Sequence, residues 1–556
     1  MQVLNGRTDR ARNALSRFIQ SAGIGAVSSC FAWAALLVAL ICLYQRLGDS
    51  NPVALSIWIS SDTLYPVNVF TDVFRDHYSL SGWRFSIAPC WFPDLSLTGL
   101  LWFVLRNPIL ATLLAGFFQI VLLVGSVYCI ARAIGRPLTI LQQSLLLLAA
   151  VLVTLYVATH TGATYPLLYQ IFLPQTHIGS MLLTLYGWAL ALAMVSSGLR
   201  ATRVSPVLVI AYATLCAAAG MSNALFFTQM LAPFTAAALC FAWMRLARFG
   251  GVYLPIALGW PAAAAGAVLN RFLFHAAPVG LQSKPSLANV RIAARVFSEG
   301  FGAMLQRADP VHLFALLWLA ACLAYVVHIR RRRARDLQTT EVLTGLFLLT
   351  CFLSAIFSVI AIVAGCSNGL VVFRSYRWSM HYLHAFFIAP LFGLPVLLGG
   401  MAVRLAHRRA RLIALAVASG MLAVSGLALA RTPAPGTPVS EYEPPLVRFL
   451  DKAAARYPIH YGYAGYWQAR LITLLSRTGL RAYAVDGSMR PFLWVNNEEW
   501  YSESLTDRSR RPTVDFVVLG DPKWKLTQES AVQTFGRARD QIQFDHTRVL
   551  IYNNGK

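Results

Sequence analysis

The sequence predicts a polytopic α-helical membrane protein of about eleven spans, followed by a small α/β domain. Composition, apolar run length and a late change of pattern together predict it. Of 556 residues, 57% are hydrophobic and only 13% are charged, which excludes an ordinary soluble domain. Apolar runs of roughly 20 residues, long enough to cross a bilayer, recur from Ile24 onward. From Arg431 a Pro-rich stretch gives way to alternating short helix and strand patterns.

Residues 1–23 form a basic N-terminus. The apolar run behind it is too long for a signal-peptide core, and no small-residue cleavage site stands out, so it reads as an uncleaved span. The transmembrane region covers residues 24–430. Spans are expected at Ile24–Tyr44, Ile109–Ala131, Leu138–Ala158, Gly179–Ser197, Pro206–Met221, Met230–Leu246, Tyr253–Phe274, Val311–His328, Val342–Ala364, Ala385–Val403 and Leu412–Ala430. With an odd count, one side collects Arg7, Arg10, Arg12 and Arg17, then Arg132 and Arg136, Arg200 and Arg203, Arg245 and Arg248, Arg330 to Arg335, and Arg404 to Arg411. Positively charged loops stay in the cytoplasm, so the N-terminus is expected inside and the tail outside. This topology explains the net charge of +24, and nucleic acid is not expected as a partner.

The nine cysteines contain no CxxC and no Cys/His ligand spacing, which argues against a redox motif or a metal site built on thiolates. Cys90 and Cys366 fall in expected external loops, where an oxidising compartment would let them pair if they are close.

The first external loop, residues 45–107, is long and aromatic. Its segment SSDTLYPVNVFTDVFRDHYSLSGWRFSIAPCWFPD carries Asp62, Asp72, Asp76 and Asp94. Carboxylates beside a membrane are costly unless paired or functional. Asp62 reads either as a general base for an acceptor hydroxyl or as a helix N-cap. Asp94 reads either as a second carboxylate that binds a metal or a sugar hydroxyl, or as a cap for the helix after it. Asp72 and Asp76, with Arg75 between them, have the spacing of a solvated amphipathic face.

Arg374 and Arg377 lie in FRSYRW, close to the start of a span. A guanidinium fork matches a phosphate, and snorkelling to headgroups is the alternative. His177 at the mouth of a span would donate to a phosphate or orient an acceptor, or serve structure alone. Asn223 and Gln229 are weaker candidates, and Arg271 and Lys284 add positive field for an anionic donor.

The linker, residues 431–445, is extended. Within 446–556, helices are expected at Leu446–Arg456, Trp467–Arg477 and Gln528–Gln541. Strands are expected at Ile459–Tyr463, Arg481–Val485, Val514–Leu519 and Arg548–Tyr552. The aromatic stretches YWQARLITLLSR and WVNNEEWY suit packing or acceptor binding. No Walker motif, GxSxG, HExxH or GxGxxG in strand context occurs, so no nucleotide cofactor is expected.

This layout resembles the GT-C superfamily of membrane glycosyltransferases. The resemblance rests on a basic N-terminus, a long first external loop with Asp62 soon after the first span, a later Arg-containing external loop, and a C-terminal domain outside the membrane. It covers chiefly Ile24 to Val403, and no subfamily is assigned. The loop lacks a DxD or Asp-Glu pair and the tail lacks a WWDYG-like motif, which speaks against an oligosaccharyltransferase and leaves metal dependence open. The resemblance implies a bacterial inner-membrane enzyme with a periplasmic tail. It would move a sugar from a polyprenyl-phosphate donor to a lipid, glycan or protein acceptor. Asp62 would match the catalytic acidic position and Asp94 a second one. A transporter or flippase for lipid-linked glycans, and a polysaccharide polymerase or ligase, remain the alternatives. A transporter calls for polar groups at mid-membrane, where Gln119, Gln142 and Gln143 are the main candidates.

Overall fold

The computed structural model describes residues 2–49, 55, 58–86, 88–160, 166–174, 177–244, 246, 249–276, 285–332, 337–401, 407–432, 438–502, 512–520 and 526–552. Lys284, Arg245, Arg248, Arg333, Arg335, Arg404 and residues 433–437 of the linker lie outside the described residues.

The chain is a polytopic helical protein with a C-terminal α/β unit. Among the described residues, eight helices are long and apolar enough to cross a membrane: Gly23–Leu47, Pro108–Ile134, Ile140–Thr159, Ile178–Leu199, Val252–Leu273, Pro310–Arg331, Thr339–Ala364 and Arg409–Ala430. Shorter apolar helices occupy Trp91–Leu105, Pro206–Ser222, Phe227–Trp243 and His384–Gly393. Each expected span coincides with one of these helices, and three of them fall in the shorter class. Trp91–Leu105 was not expected as a helix of this kind; it lies within the first external loop.

In chain order the helices are α1 (Gln2–Asp49), α2 (Ser61–Phe74), α3 (Ser96–Leu105), α4 (Pro108–Ile134), α5 (Ile140–Thr159), α6 (Ile178–Leu199), α7 (Pro206–Ser222) and α8 (Ala232–Trp243). They continue as α9 (Phe249–Leu273), α10 (Leu287–Gln306), α11 (Pro310–Arg331), α12 (Thr339–Ala364), α13 (His384–Met401) and α14 (His407–Ala430). The last three are α15 (Pro445–Ala454), α16 (Tyr466–Leu475) and α17 (Gln528–Phe535). Helix α1 packs on α14 and α5, α4 on α6, and α7 on α9. Their starts follow ordinary capping chemistry. Asn107 caps α4 through Leu110 N–H at 2.9 Å, with Pro108 at the first position, and Asp309 caps α11 in the same way before Pro310. Gln142 forms a capping box with Thr139, and Gln143 donates to the Leu138 carbonyl at 3.0 Å. These two glutamines therefore serve a helix start and do not sit at mid-span. Gln119 is deeply buried within α4.

The C-terminal unit holds a five-stranded sheet in the order β4-β3-β6-β8-β7. Its strands are β3 (Tyr461–Ala464), β4 (Arg481–Ala484), β6 (Phe516–Leu519), β7 (Asp540–Phe544) and β8 (Thr547–Ile551). β3 pairs in parallel with both β4 and β6, and the β7–β8 hairpin adds antiparallel to β6. The expected helix Gln528–Gln541 is too long. It stops at Phe535 because Gly536 takes a positive φ of 84°, and the chain turns into β7.

A second, three-stranded sheet ties the membrane region to this unit. β1 (Trp83–Phe85) runs parallel to β2 (His275–Ala276) and antiparallel to β5 (Asn496–Asn497). One apolar cluster contains Tyr65, Trp83, Phe85 and Trp91 of the first loop together with Ile472, Tyr483, Trp500 and Phe516 of the tail. The tail thus shares its core with the loop.

Asp72 and Asp76 are not on a solvated face. Both are buried. Asp72 accepts from Trp83 Nε1 at 3.0 Å, Trp500 Nε1 at 2.8 Å and Asn497 Nδ2 at 2.9 Å. Asp76 pairs with Arg75 at 2.8 Å and with the buried Arg481. The tail covers the face that the i,i+4 spacing assigns to water. Cys90 and Cys366 are separate buried thiols.

Candidate active site

Ser60 begins α2 with a reciprocal box: Thr63 N–H donates to Ser60 Oγ at 3.3 Å, and Ser60 N–H donates to Thr63 Oγ1 at 2.9 Å. The cap is therefore Ser60, which leaves the Asp62 side chain one position inside the first turn for other duties. A carboxylate there is favoured by the helix dipole. Tyr466 Oη donates to Asp62 Oδ1 at 2.6 Å. Burial and the neighbouring Asp62 carboxylate push the Tyr466 phenol well above its ordinary range, so it stays a donor.

Arg470, one turn further along α16, holds α2 and α16 together. It is 4% exposed. It donates to the Ser61 and Val495 carbonyls and to Asn496 Oδ1, the last at 2.9 Å. Its guanidinium also lies over the rings of Tyr466 at 5.5 Å and Tyr65 at 5.7 Å. Ser61 Oγ donates to the Tyr466 carbonyl at 2.6 Å. The base candidate is thus placed by residues from both ends of the chain.

Asp94 lies in the turn Trp91–Leu95 that leads into α3, and it is 1% exposed. It does not cap a helix start, since the residue before that turn is Cys90. Its Oδ1 accepts from Gln119 Nε2 of α4 at 2.5 Å. Gly179 on α6 makes room for it: a Cβ there would lie 2.1 Å from Asp94 Oδ2.

His177 immediately precedes α6 with φ 67°, a left-handed conformation that is costly for a residue with a side chain. Asn223 Nδ2 lies 2.8 Å from His177 Nδ1. With Asn223 donating, the imidazole proton belongs on Nε2. Desolvation lowers the His177 pKa to about 4, so the ring is neutral near pH 7. Asn223 Nδ2 also approaches Cys90 Sγ at 3.9 Å. Cys90 is left-handed too, at φ 54°, and burial with the nearby Asp94 carboxylate raises its thiol well above the usual range. Buried and protonated, it is no nucleophile.

Tyr382 closes the arc. Its ring centroid is 5.0 Å from that of His177, and its carbonyl accepts from Gln229 Nε2 at 3.2 Å. Burial pushes its phenol up to about 12, with Cys90 and Asp62 adding to the effect. Asp62, Asp94, His177 and Asn223, singled out in the sequence, thus lie in one connected polar region. It is completed by Tyr382, Tyr466 and Gln119. Tyr466 stands out in the sequence only as part of an aromatic stretch, and Tyr382 only as a residue near the Arg-containing FRSYRW segment.

Arg374 and Arg377 are exposed. Arg374, left-handed at φ 46°, lines a groove of about 580 Å³ with Arg295, Glu299 and Gly300 of α10 and with Tyr376. The floor of the groove is fixed from below. Tyr376 Oη lies 2.9 Å from His312 Nε2, and His312 Nδ1 lies 2.8 Å from Asp309 Oδ1. His312 is fully buried, so this relay anchors the arginine-bearing segment to α11. Arg377 and Tyr382 are joined by a short helical stretch, so the groove and the polar region are two ends of one segment. Among the described residues no group of three or more His, Cys, Asp or Glu side chains has a metal-holding arrangement. One oxygen of Asp62 accepts from a phenol and one oxygen of Asp94 from an amide.

No protein-family model matches the chain. A search of curated proteins gives no match. Among solved structures, the chain is similar to the crystal structure of ArnT from Cupriavidus metallidurans bound to undecaprenyl phosphate, at a TM-score of 0.41 and 15% identity over 95% of this chain and 98% of that one.

Proposed function

We propose that the protein transfers a sugar from a polyprenyl-phosphate donor to a lipid, glycan or protein acceptor, with inversion, at the outer face of a bacterial inner membrane. The observation that carries this reading is the Asp62–Tyr466 pair: a carboxylate in the first turn of a helix, oriented by a phenol from the tail, in a chain built largely of apolar helices. The expected orientation puts the N-terminus in the cytoplasm and the tail in the periplasm.

In this scheme Asp62 takes the proton from the acceptor hydroxyl. The acceptor oxygen attacks the anomeric carbon, the bond from that carbon to the phosphate oxygen breaks, and the electron pair leaves with the polyprenyl phosphate. Asp94 and its partner Gln119 hold sugar or acceptor hydroxyls. His177 and Asn223 orient the acceptor, and Arg374 and Arg377 attract the donor phosphate. Positioning and charge stabilisation supply the rate. No nucleotide cofactor takes part.

The test is mass spectrometry of envelope lipids, glycans and glycoproteins in cells with and without the gene. Loss of one sugar mass from one class, restored by the wild-type gene, is the expected result. The lipid-linked sugar should then accumulate on the outer leaflet; the same loss with the lipid-linked sugar retained on the cytoplasmic leaflet would replace this reading with transport.

A further inference from the structure

His384 opens α13, two residues beyond Tyr382. Its side chain is 0% exposed, and neither ring nitrogen has a hydrogen-bond partner among the described residues. Buried polar groups in native proteins are nearly always satisfied, and an exception calls for an explanation. A sealed imidazole with both nitrogens idle weakens the folded state and gains nothing for it. Its surroundings suggest what would complete it. His384 is within electrostatic reach of His177. Tyr382, beside it in the chain, lies against His177 and in the field of Asp62. The ring stands at the N-terminus of an apolar helix, where backbone dipoles favour an anion. A neutral imidazole offers one N–H donor there without bringing a permanent charge into the bundle.

We propose that His384 is a substrate-contacting residue that donates its ring N–H to a phosphate ester at the start of α13. Under the function proposed above, on which this rests, that group is the phosphodiester of the polyprenyl-phosphate sugar, which becomes the monoester of the released polyprenyl phosphate. Arg374 and Arg377, exposed at the other end of the same segment, then supply attraction at the surface, and His384 holds the anion in place for reaction.

The test uses the purified full-length chain in detergent and follows thermal unfolding of the wild type, His384→Leu and His384→Gln. Each is titrated with polyprenyl monophosphate, uncharged polyprenol and inorganic phosphate. A ligand that binds the native state raises the midpoint in proportion to its affinity. Ligand-free His384→Leu should unfold at the same temperature as wild type or higher, since no hydrogen bond is lost. Polyprenyl monophosphate should protect wild type, bind His384→Leu at least tenfold more weakly, and regain part of its affinity in His384→Gln, which keeps an N–H donor. Equal protection of all three variants overturns the proposal, as does a lower ligand-free midpoint in both variants. Protection of wild type by inorganic phosphate but not by the lipid, lost in His384→Leu, retains the anion contact and defeats the lipid-donor reading. Absence of protection by either phosphate defeats both.

Discussion

Replacing Asp72 with alanine probes how the tail is held over the site. The carboxylate accepts three hydrogen bonds from groups that are far apart in the chain. Asn497 Nδ2 also donates to the Ser79 carbonyl at 3.1 Å, so alanine would strand the two indole N–H groups of Trp83 and Trp500. Each stranded donor costs about 1–3 kcal/mol, which sums to about 2–6 kcal/mol. Burial works in the opposite direction and pushes the Asp72 carboxyl up to about 7, against the bonds from Trp500 and Asn497. An unfolded aspartate releases its proton near pH 4. Between about 4 and 7 the native state therefore binds a proton that the unfolded state does not. Stability from this proton is full below pH 4 and is lost as pH rises through about 7. Moving a carboxyl from about 4 to about 7 corresponds to about 4 kcal/mol, which wild type loses over that range and the alanine variant does not. The penalty of Asp72→Ala should thus be largest near pH 4–5 and shrink toward pH 8. Urea unfolding followed by tryptophan fluorescence at several pH values measures it, with Trp83 and Trp500 as local reporters. A deficit that stays below about 1 kcal/mol at pH 5, or grows with pH, would refute the reasoning.

Two further outcomes test the site itself. Tyr466→Phe removes the 2.6 Å donation to Asp62; the acidic limb of the pH–rate profile should move upward and the rate should fall about tenfold, while an unmoved limb counts against the pairing. Gly179→Ala would put a Cβ 2.1 Å from Asp94 Oδ2 and displace that carboxylate, so transfer should fall about tenfold. Gly302→Ala, with nothing within 4 Å, should leave transfer unchanged. Equal activity in the two glycine variants would remove Asp94 from the site.

The membrane architecture was legible because apolar run length is a local property. Pro108–Ile134 and Thr339–Ala364, for example, match expected spans to within a few residues. Asp62, Asp94, His177 and Asn223 stood out because polar residues are scarce in such a chain. The partners of these residues did not stand out. Tyr466 lies 404 positions from Asp62, and Arg481 lies 405 from Asp76. No period or spacing reports a contact of that range. Asp72 was misread for the same reason: its indole and amide partners at Trp500 and Asn497 convert an apparently wet helix face into an interface. The start of β7, Asp540 and Gln541, falls within a helical pattern that Gly536 interrupts. His384 carries no sequence signal, since only its burial and its idle nitrogens distinguish it.

The central claim is that the Asp62 carboxylate activates the acceptor. Its most direct measurement is release of polyprenyl phosphate from a polyprenyl-phosphate sugar in the presence of acceptor, by wild type and by Asp62→Asn of equal thermal stability. Asparagine preserves size and can still accept from Tyr466, but it takes no proton. Release should fall by at least about a hundredfold while the lipid still protects the variant from unfolding. Transfer at the wild-type rate in Asp62→Asn would contradict that claim.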